Sequence, residues 1–295
     1  MSREPAMSTR YYSEPAPPGF VLQKVETPAG RLAVWERHGR EPALVLIHGN
    51  SASKAAFRPL LAQPLFNGRR VVVLDMPGAG ESDDGREPER DYTFTALAQA
   101  VLVALADMKI VAPVVLGWSL GGHLGIEAIG QGADFRALVL TGTPPCGPGR
   151  AEVDEVFYPG ELMAVVTGES PSPELLNAYI RALYGATRPI YFELFNAGRR
   201  FDGRLRRIFA DNIFGSDPPR AKRQRQVVAE WKKPIAVIQG DNEPFFDPRG
   251  LDALRWGNLW RGKGQFVPGT GHAPFYEQPE AYASLLDAFL RDIGA

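Results

Sequence analysis

The sequence predicts an α/β fold in which helices cover both faces of a mostly parallel, doubly wound sheet. Two observations lead to this prediction: short apolar runs and the helical periodicity between them. Strands that are buried on both faces read as continuous apolar runs rather than as alternating ones. The chain has 295 residues, 44% of them hydrophobic and 23% charged, which is the balance of a globular protein with a sizeable core.

The predicted strands begin with an entry hairpin. Phe20–Trp35 alternates between apolar and polar residues, which indicates two antiparallel strands. Five later runs are short, rich in Val, Ile and Leu, and bounded by turn residues or charges, and a sixth candidate follows them. In chain order these runs are Ala43–His48, Arg70–Asp75, Pro113–Trp118, Ala137–Thr141, Pro234–Gly240 and the candidate Gly264–Val267.

Helical patterns lie between the runs. Apolar residues recur every three or four positions from Phe94 to Met108, with Thr93 as the predicted N-cap. A second pattern follows Pro279, and proline favours the first turn of a helix. Strands that alternate with helices in this way favour a doubly wound sheet.

One long stretch, between Thr141 and Pro234, contains no clear buried strand but many Phe and Tyr residues. It is too aromatic for a linker, so we expect a helical lid over the strand ends. Its basic clusters, Arg199–Arg207 and Arg220–Arg225, are expected to form a solvated face. The predicted units are a loose, Pro-rich extension of residues 1–18, a core of residues 19–147 and 231–295, and a lid of residues 148–230.

Composition excludes several classes of function. Lys and Arg number 33 against 34 Asp and Glu, which argues against nucleic acid or an anionic membrane as the main partner. The single cysteine, Cys146, permits no intrachain disulfide, and the histidines lack metal-ligand spacing, so we expect no metal and no cofactor. No signal peptide or membrane span is predicted, and we expect a cytoplasmic protein that acts on a small molecule.

The clearest motif is Gly117-Trp118-Ser119-Leu120-Gly121, a G-x-S-x-G sequence. It follows a predicted strand and opens a predicted helix, which is the setting of a nucleophile elbow. Glycines permit the tight turn that exposes the serine hydroxyl, and the helix N-terminus favours developing negative charge. Ser119 is therefore the candidate nucleophile.

A serine nucleophile needs a general base and a group that orients the base. His272 lies in a loop of small residues before the last helix and is better placed than the other histidines. Three carboxylates follow the strand Pro234–Gly240, and of these Glu243, near the apex of its loop, is favoured. Asp241 and Asp247 remain alternatives, although turn formation and helix capping explain them.

An acyl-transfer site also needs donors for an oxyanion. The backbone N–H of Leu120, directly after the nucleophile, is one candidate. Asn50, in the loop after the strand Ala43–His48, is the other, with capping of the next helix as its alternative role.

These residues together resemble the α/β-hydrolase superfamily over about residues 20–295. The chain order Ser119, Glu243, His272 matches that of the superfamily, as does the turn from Asp75 to Ser82, DMPGAGES. The resemblance implies the α/β-hydrolase fold, with the lid inserted before the strand that carries the acid.

A narrower resemblance is carried by the strings IHGNSAS, GWSLGGHLGIE, TGTPP, NEPF, GNLW and GHAPF. They resemble the metal-independent N-acyl-homoserine lactone lactonases, which open the lactone ring of bacterial quorum-sensing signals. This resemblance implies a glutamate as triad acid, in support of Glu243, and a lid tyrosine that contacts substrate. Tyr179 is the best-placed equivalent and Tyr184 its rival, and Trp118 is a third candidate substrate contact.

The leading hypothesis is serine-dependent hydrolysis of a lactone or ester, with N-acyl-homoserine lactones as the expected substrates and quorum quenching as the expected role. A general carboxylesterase or a C–C bond hydrolase could use the same triad. A ligand receptor with slow turnover is a rival of another class, since a fold alone does not determine function. The sequence makes no prediction for acyl-chain preference or oligomeric state.

Overall fold

The computed structural model describes residues 12–146, 156–214 and 224–295. Within them, eight strands form one sheet. The strands are β1 (Val21–Thr27), β2 (Gly30–Arg37), β3 (Arg40–Ile47), β4 (Arg69–Leu74), β5 (Val114–Trp118), β6 (Ala137–Thr141), β7 (Ile235–Gly240) and β8 (Gln265–Val267).

The sheet has the order β1-β2-β4-β3-β5-β6-β7-β8. The β1–β2 hairpin is antiparallel and pairs antiparallel with β4, whereas all later neighbours are parallel. Every residue of β5, β6 and β7 is buried, which explains why these strands read as unbroken apolar runs. The predicted fold class is confirmed, and the candidate Gly264–Val267 is the short edge strand β8.

Helices flank the sheet and build the lid. They are α1 (Arg58–Leu61), α2 (Pro88–Asp91), α3 (Phe94–Asp107), α4 (Leu120–Gly130), α5 (Met163–Thr167), α6 (Pro173–Tyr184), α7 (Phe192–Arg200), α8 (Gly203–Phe214), α9 (Gln224–Glu230), α10 (Pro274–Glu277) and α11 (Pro279–Asp292). Thr93 caps α3 as predicted, because its side chain accepts a hydrogen bond from the Ala96 N–H at 3.2 Å. Short 3-10 turns cover Lys54–Phe57, Pro64–Phe66, Pro248–Ala253 and Trp260–Gly262.

The insertion between β6 and β7 is helical wherever the structure describes regular elements in it, from α5 to α9. Residues 147–155 and 215–223 lie outside the described residues, and most of the second basic cluster lies with them. The first cluster differs in part from the expected solvated face: Arg199 is exposed, but Arg200 and Arg206 are only 5% and 3% exposed. Arg200 pairs with Asp84 of the core at 2.9 Å, so these arginines join the lid to the core.

The segment that precedes the sheet also differs from expectation. Residues 1–11 of the expected loose extension lie outside the described residues, but Glu14 is buried in the core. Its carboxylate lies 2.9 Å from the Lys54 ammonium, which also contacts Asp75 at 2.6 Å and Glu81 at 2.7 Å. The three carboxylates lie close enough together to hold a metal ion, but the Lys54 ammonium already lies against each of them. Burial and the neighbouring Asp75 raise the pKa of Glu14 to about 6.

In the part of the chain that the structure describes, none of the helices is both long and apolar enough to cross a bilayer.

Candidate active site

The site lies where the sheet reverses its winding. β3 has β4 on one side and β5 on the other, and Ile47 of β3 pairs with Gly117 of β5. The loop after β3, which contains Asn50, therefore lies beside the turn after β5, which contains Ser119. Open α/β sheets form their clefts at such a point, outside the carboxyl ends of the strands.

Ser119 occupies the turn between β5 and α4 with φ 54° and ψ −118°. Non-glycine residues rarely adopt a positive φ, so the surrounding packing must hold this conformation. An added Cβ at Gly121 would lie 2.2 Å from the carbonyl oxygen of Ile47, and one at Gly117 would lie 2.4 Å from the Cα of Gly122. The two glycines of the motif thus permit the strand–turn–helix geometry that the sequence predicts.

His272 follows β8 and faces Glu243 in the loop after β7. Its Nδ1 lies 2.9 and 2.8 Å from the two carboxylate oxygens of Glu243, and both side chains are buried. The Phe245 N–H donates to the same carboxylate at 3.1 Å, and the indole N–H of Trp118 donates to the His272 carbonyl at 2.9 Å. These contacts leave Nε2 as the imidazole nitrogen that can accept a proton.

The two rival carboxylates have other partners. Asp241 accepts a hydrogen bond from the Gly269 N–H at 2.7 Å, and Asp247 caps the following turn by accepting one from the Arg249 N–H at 3.0 Å. The structure therefore brings Glu243 to His272 and leaves Asp241 and Asp247 in the turn and capping roles that the sequence suggests.

The two expected oxyanion donors both lie near Ser119: Leu120 follows it in the chain, and Asn50 lines the same cavity. Leu120 is the first residue of α4, so its N–H has no acceptor within the helix. Asn50 is 2% exposed, and its side-chain amide donates to the carbonyl of Val166 in the lid at 3.4 Å. Its carboxamide oxygen accepts from the Ser51 hydroxyl at 2.9 Å, so the Asn50 side chain is engaged and its backbone N–H is the group available as a donor.

A cavity of about 30 Å³ joins these groups beneath the lid. Core residues on its wall include Asn50, Ser119 and His272, and the remaining wall is mostly apolar. Those further lining residues are His123, Gly142, Phe157, Met163, Val166, Tyr179, Phe209 and Phe245. Because five of them belong to the lid, the lid closes directly over Ser119.

Of the three candidate substrate contacts, Tyr179 lies on the cavity wall. Among the described residues no group bonds its hydroxyl, and burial raises its pKa, so it stays protonated and able to donate. Tyr184 and Trp118 differ from expectation, because neither lines the cavity. Their ring centroids lie 5.6 Å apart, and the Trp118 ring lies 5.7 Å from the imidazole of His272.

His123 also lines the cavity, although its sequence position predicts only a helix-face residue. Burial lowers its pKa to about 4, so the imidazole is neutral at pH 7. Its Nδ1 lies 2.8 Å from the Gln224 side-chain oxygen. The sequence places His123 four residues after Ser119, which is one helical turn. Its partner Gln224 lies in α9, 101 residues further along the chain.

The histidine loop is also bonded to the lid. The Glu277 carboxylate accepts from the Gly271 N–H at 2.6 Å and from the Thr187 hydroxyl at 3.1 Å. Burial raises the pKa of Glu277. Because Gly271 directly precedes His272, the core residue Glu277 links the histidine loop to Thr187 of the lid.

Comparisons with known proteins show the family and the fold. The profile of the alpha/beta hydrolase family matches residues 44–285. A pimeloyl-acyl-carrier-protein methyl ester esterase from Nitrosomonas europaea is 26% identical over 266 residues, which is 86% of this chain and 97% of that protein. An esterase from Rhodococcus sp. ECU1013, RhEst1, has a TM-score of 0.75 at 22% identity, with coverage of 94% of this chain and 100% of its own, and so shows the shared fold.

Solved structures of the N-acyl homoserine lactonase AidH are more similar in sequence. A mutant complexed with N-hexanoyl homoserine has a TM-score of 0.87 and 38% identity, and the match covers 93% of this chain and 97% of AidH. A second mutant, complexed with N-hexanoyl homoserine lactone, has a TM-score of 0.86 and 39% identity, with coverage of 92% and 98%. With the family profile matching most of its length, the chain belongs to the alpha/beta hydrolase family.

Proposed function

We propose that the protein is a serine hydrolase that opens the lactone ring of N-acyl-homoserine lactones. The observation that carries the proposal is the placement of Ser119, His272, Asn50 and Tyr179 around one cavity. The likeness to AidH, complexed with N-hexanoyl homoserine and with its lactone, supports this substrate class.

In the proposed reaction, His272 accepts the Ser119 proton at Nε2 while the Ser119 oxygen attacks the lactone carbonyl carbon. The Glu243 carboxylate holds Nδ1 and stabilises the charged imidazole. The Leu120 and Asn50 N–H groups bind the oxyanion, each contributing on the order of 3 kcal/mol.

The tetrahedral intermediate then breaks the bond to the ring oxygen, which takes the proton from His272. The new hydroxyl stays tethered to the homoserine carbon chain. Water, deprotonated by His272, attacks the carbonyl carbon of the ester to Ser119. The bond to the Ser119 oxygen then breaks, that oxygen takes the proton back from His272, and N-acyl-homoserine is released.

The Tyr179 hydroxyl is the proposed substrate contact, as a donor to a carbonyl oxygen of the acyl lactone. We expect Tyr179→Phe to lower kcat/KM for the lactone by about tenfold, the value of one neutral hydrogen bond. Tyr191→Phe is the matched control, because that lid tyrosine is 42% exposed and does not line the cavity. An equal effect of both changes would refute the assignment.

Carboxylic ester hydrolysis is the second candidate function. The observation in its favour is the likeness to the methyl ester esterase of Nitrosomonas europaea. The same groups would act on an acyclic ester, whose alcohol leaves instead of staying tethered. C–C bond hydrolysis and a receptor role stay predictions with no specific observation behind them.

The deciding experiment follows ring opening of N-butanoyl, N-hexanoyl and N-dodecanoyl homoserine lactones by proton release, with the matching acyl methyl esters alongside. We expect chelator-insensitive opening that Ser119→Ala reduces by at least about 10⁴-fold, while Ser284→Ala, at an exposed position of α11, leaves it unchanged. Faster hydrolysis of the methyl esters than of every lactone would establish the esterase instead.

Quorum quenching and a cytoplasmic location are part of this proposal. A small acyl lactone or ester is the proposed partner.

A further inference from the structure

Arg206 lies in the lid helix α8, but its side chain points into the protein and is buried. Its Nε donates to the Ser51 hydroxyl at 2.9 Å, and its Nη2 donates to the Gly198 carbonyl at 2.7 Å. The guanidinium carbon lies 5.2 Å from the centre of the Phe201 ring. A lid cation thus bonds directly to the loop after β3.

Ser51 relays this contact to Asn50. The hydroxyl that accepts from Arg206 donates to the Asn50 side-chain oxygen at 2.9 Å. The amide of the same side chain donates to Val166 at 3.4 Å. Asn50 is therefore held by bonds that lead to two lid helices, α5 and α8, and a bond to a charged donor polarises the hydroxyl between them.

The backbone at Ser51 needs such support. Its φ is 55°, a conformation that is sparsely populated outside glycine. The lid approaches this turn closely, because a Cβ added at Gly198 would lie 3.3 Å from the Ser51 carbonyl oxygen and 2.4 Å from the Cδ1 of Ile180. The Asn50–Ser51 peptide joins this turn to Asn50, so the bonds that hold Ser51 also hold the residue whose N–H is the proposed oxyanion donor.

We propose that Arg206 is a positioning residue for the oxyanion hole, which acts through Ser51 on Asn50 and makes the hole complete only when the lid is in place. The proposal rests on the proposed function in one respect, that the Asn50 N–H binds the oxyanion. It assigns to the lid a part in the chemical step in addition to substrate binding.

The charge of Arg206 is maintained under working conditions. Burial lowers its pKa to about 10, so the guanidinium remains protonated at pH 7. The planar guanidinium bonds to Ser51 and Gly198 from two different nitrogens, which a lysine ammonium cannot reproduce in the same geometry.

The test compares Arg206→Met, Arg206→Lys and Ser51→Gly, the last of which removes the hydroxyl while glycine tolerates the positive φ. Arg207→Met is the matched control, because the neighbouring Arg207 pairs with the surface carboxylates of Glu169 and Asp211. The readouts are kcat and KM for the lactone, and the second-order rate of Ser119 phosphonylation by a fluorophosphonate. Phosphonylation also needs the oxyanion hole but does not depend on the natural substrate.

We expect Arg206→Met and Ser51→Gly each to lower kcat and the phosphonylation rate by about 10-fold to 100-fold, with KM changed less than about threefold. Arg206→Lys should recover part of the loss, and Arg206→Met should add little to Ser51→Gly. If Arg206→Met does not fold, Ser51→Gly and Arg206→Lys decide the matter.

Unchanged phosphonylation in folded Arg206→Met and Ser51→Gly, with only a lower Tm, would overturn the proposal and leave Arg206 a structural residue. If the wild type is phosphonylated but hydrolyses no lactone, the proposed substrate class is refuted. The phosphonylation rates of the variants would then still decide whether Arg206 positions the oxyanion hole. Additive losses in the double variant would exclude the route through Ser51.

Discussion

Gly142, directly after β6, lies against the imidazole of His272, so Gly142→Ala should lower activity. A Cβ at residue 142 would lie 2.6 Å from Cε1 and 2.9 Å from Nδ1 of the imidazole. An ordinary carbon contact is about 3.5 Å, so Gly142→Ala must displace the ring by about 0.9 Å. Because His272 is held to Glu243 by Nδ1, that displacement also disturbs the pair.

Gly142→Ala carries a backbone cost as well, since Gly142 has a φ of 60°. Alanine at a positive φ costs about 1–2 kcal/mol. Gly132→Ala is the matched control: Gly132 has a φ of 93°, and its added Cβ would meet nothing within 4 Å. Gly142→Ala should lose at least as much stability as Gly132→Ala, and only Gly142→Ala should lose activity.

The expected loss for Gly142→Ala is about 100-fold in kcat, the effect of misplacing a catalytic group by about 1 Å. The assays are lactone or ester turnover and the fluorophosphonate rate at 25 °C, with urea unfolding for stability. Equal activity of the two variants would show that the imidazole accommodates the methyl group and that the contact argument is wrong.

Two further predictions concern stability. Lys54→Met should lower the free energy of unfolding by about 3–5 kcal/mol, because it leaves buried carboxylates without their cation. Lys233→Met, which removes one partner of an exposed ion pair, should lower it by at most about 1 kcal/mol, as measured by urea unfolding. Equal losses in the two variants would refute the argument from burial. The depressed pKa of His123, about 4, means that the unfolded chain binds its proton first as the pH falls. From pH 6.5 to 4 the wild type should therefore lose about 3 kcal/mol relative to His123→Asn. Parallel pH profiles of wild type and His123→Asn would contradict the prediction.

The sequence predicts the sheet well because local signals and buried packing agree there. Runs such as Ala137–Thr141 are apolar at every position, and the structure buries them on both faces. The elbow at Ser119 could also be predicted, because Gly121 and Gly117 are needed where the backbone approaches Ile47 and Gly122 closely.

Contacts between distant segments were not predictable in the same way. The solvated face expected for Arg199–Arg207 came from charge alone, but the fold turns Arg206 towards Ser51, 155 residues away in sequence. The loose extension expected from its prolines contains Glu14, whose partner Lys54 belongs to another element. Tyr184, the rival of Tyr179 under the family resemblance, and Trp118, the third candidate substrate contact, instead pack against each other.

The bond between Glu277 and Thr187 has a consequence for chimeric enzymes. A lid transplanted from a relative would bring its own residue to position 187, while Glu277 would remain in the recipient core. Without a hydroxyl at that position, the carboxylate that accepts from the Gly271 N–H would lose its bond from the residue 187 side chain. Exchange of lids to alter acyl-chain preference should therefore carry a hydroxyl residue at position 187 as part of the graft.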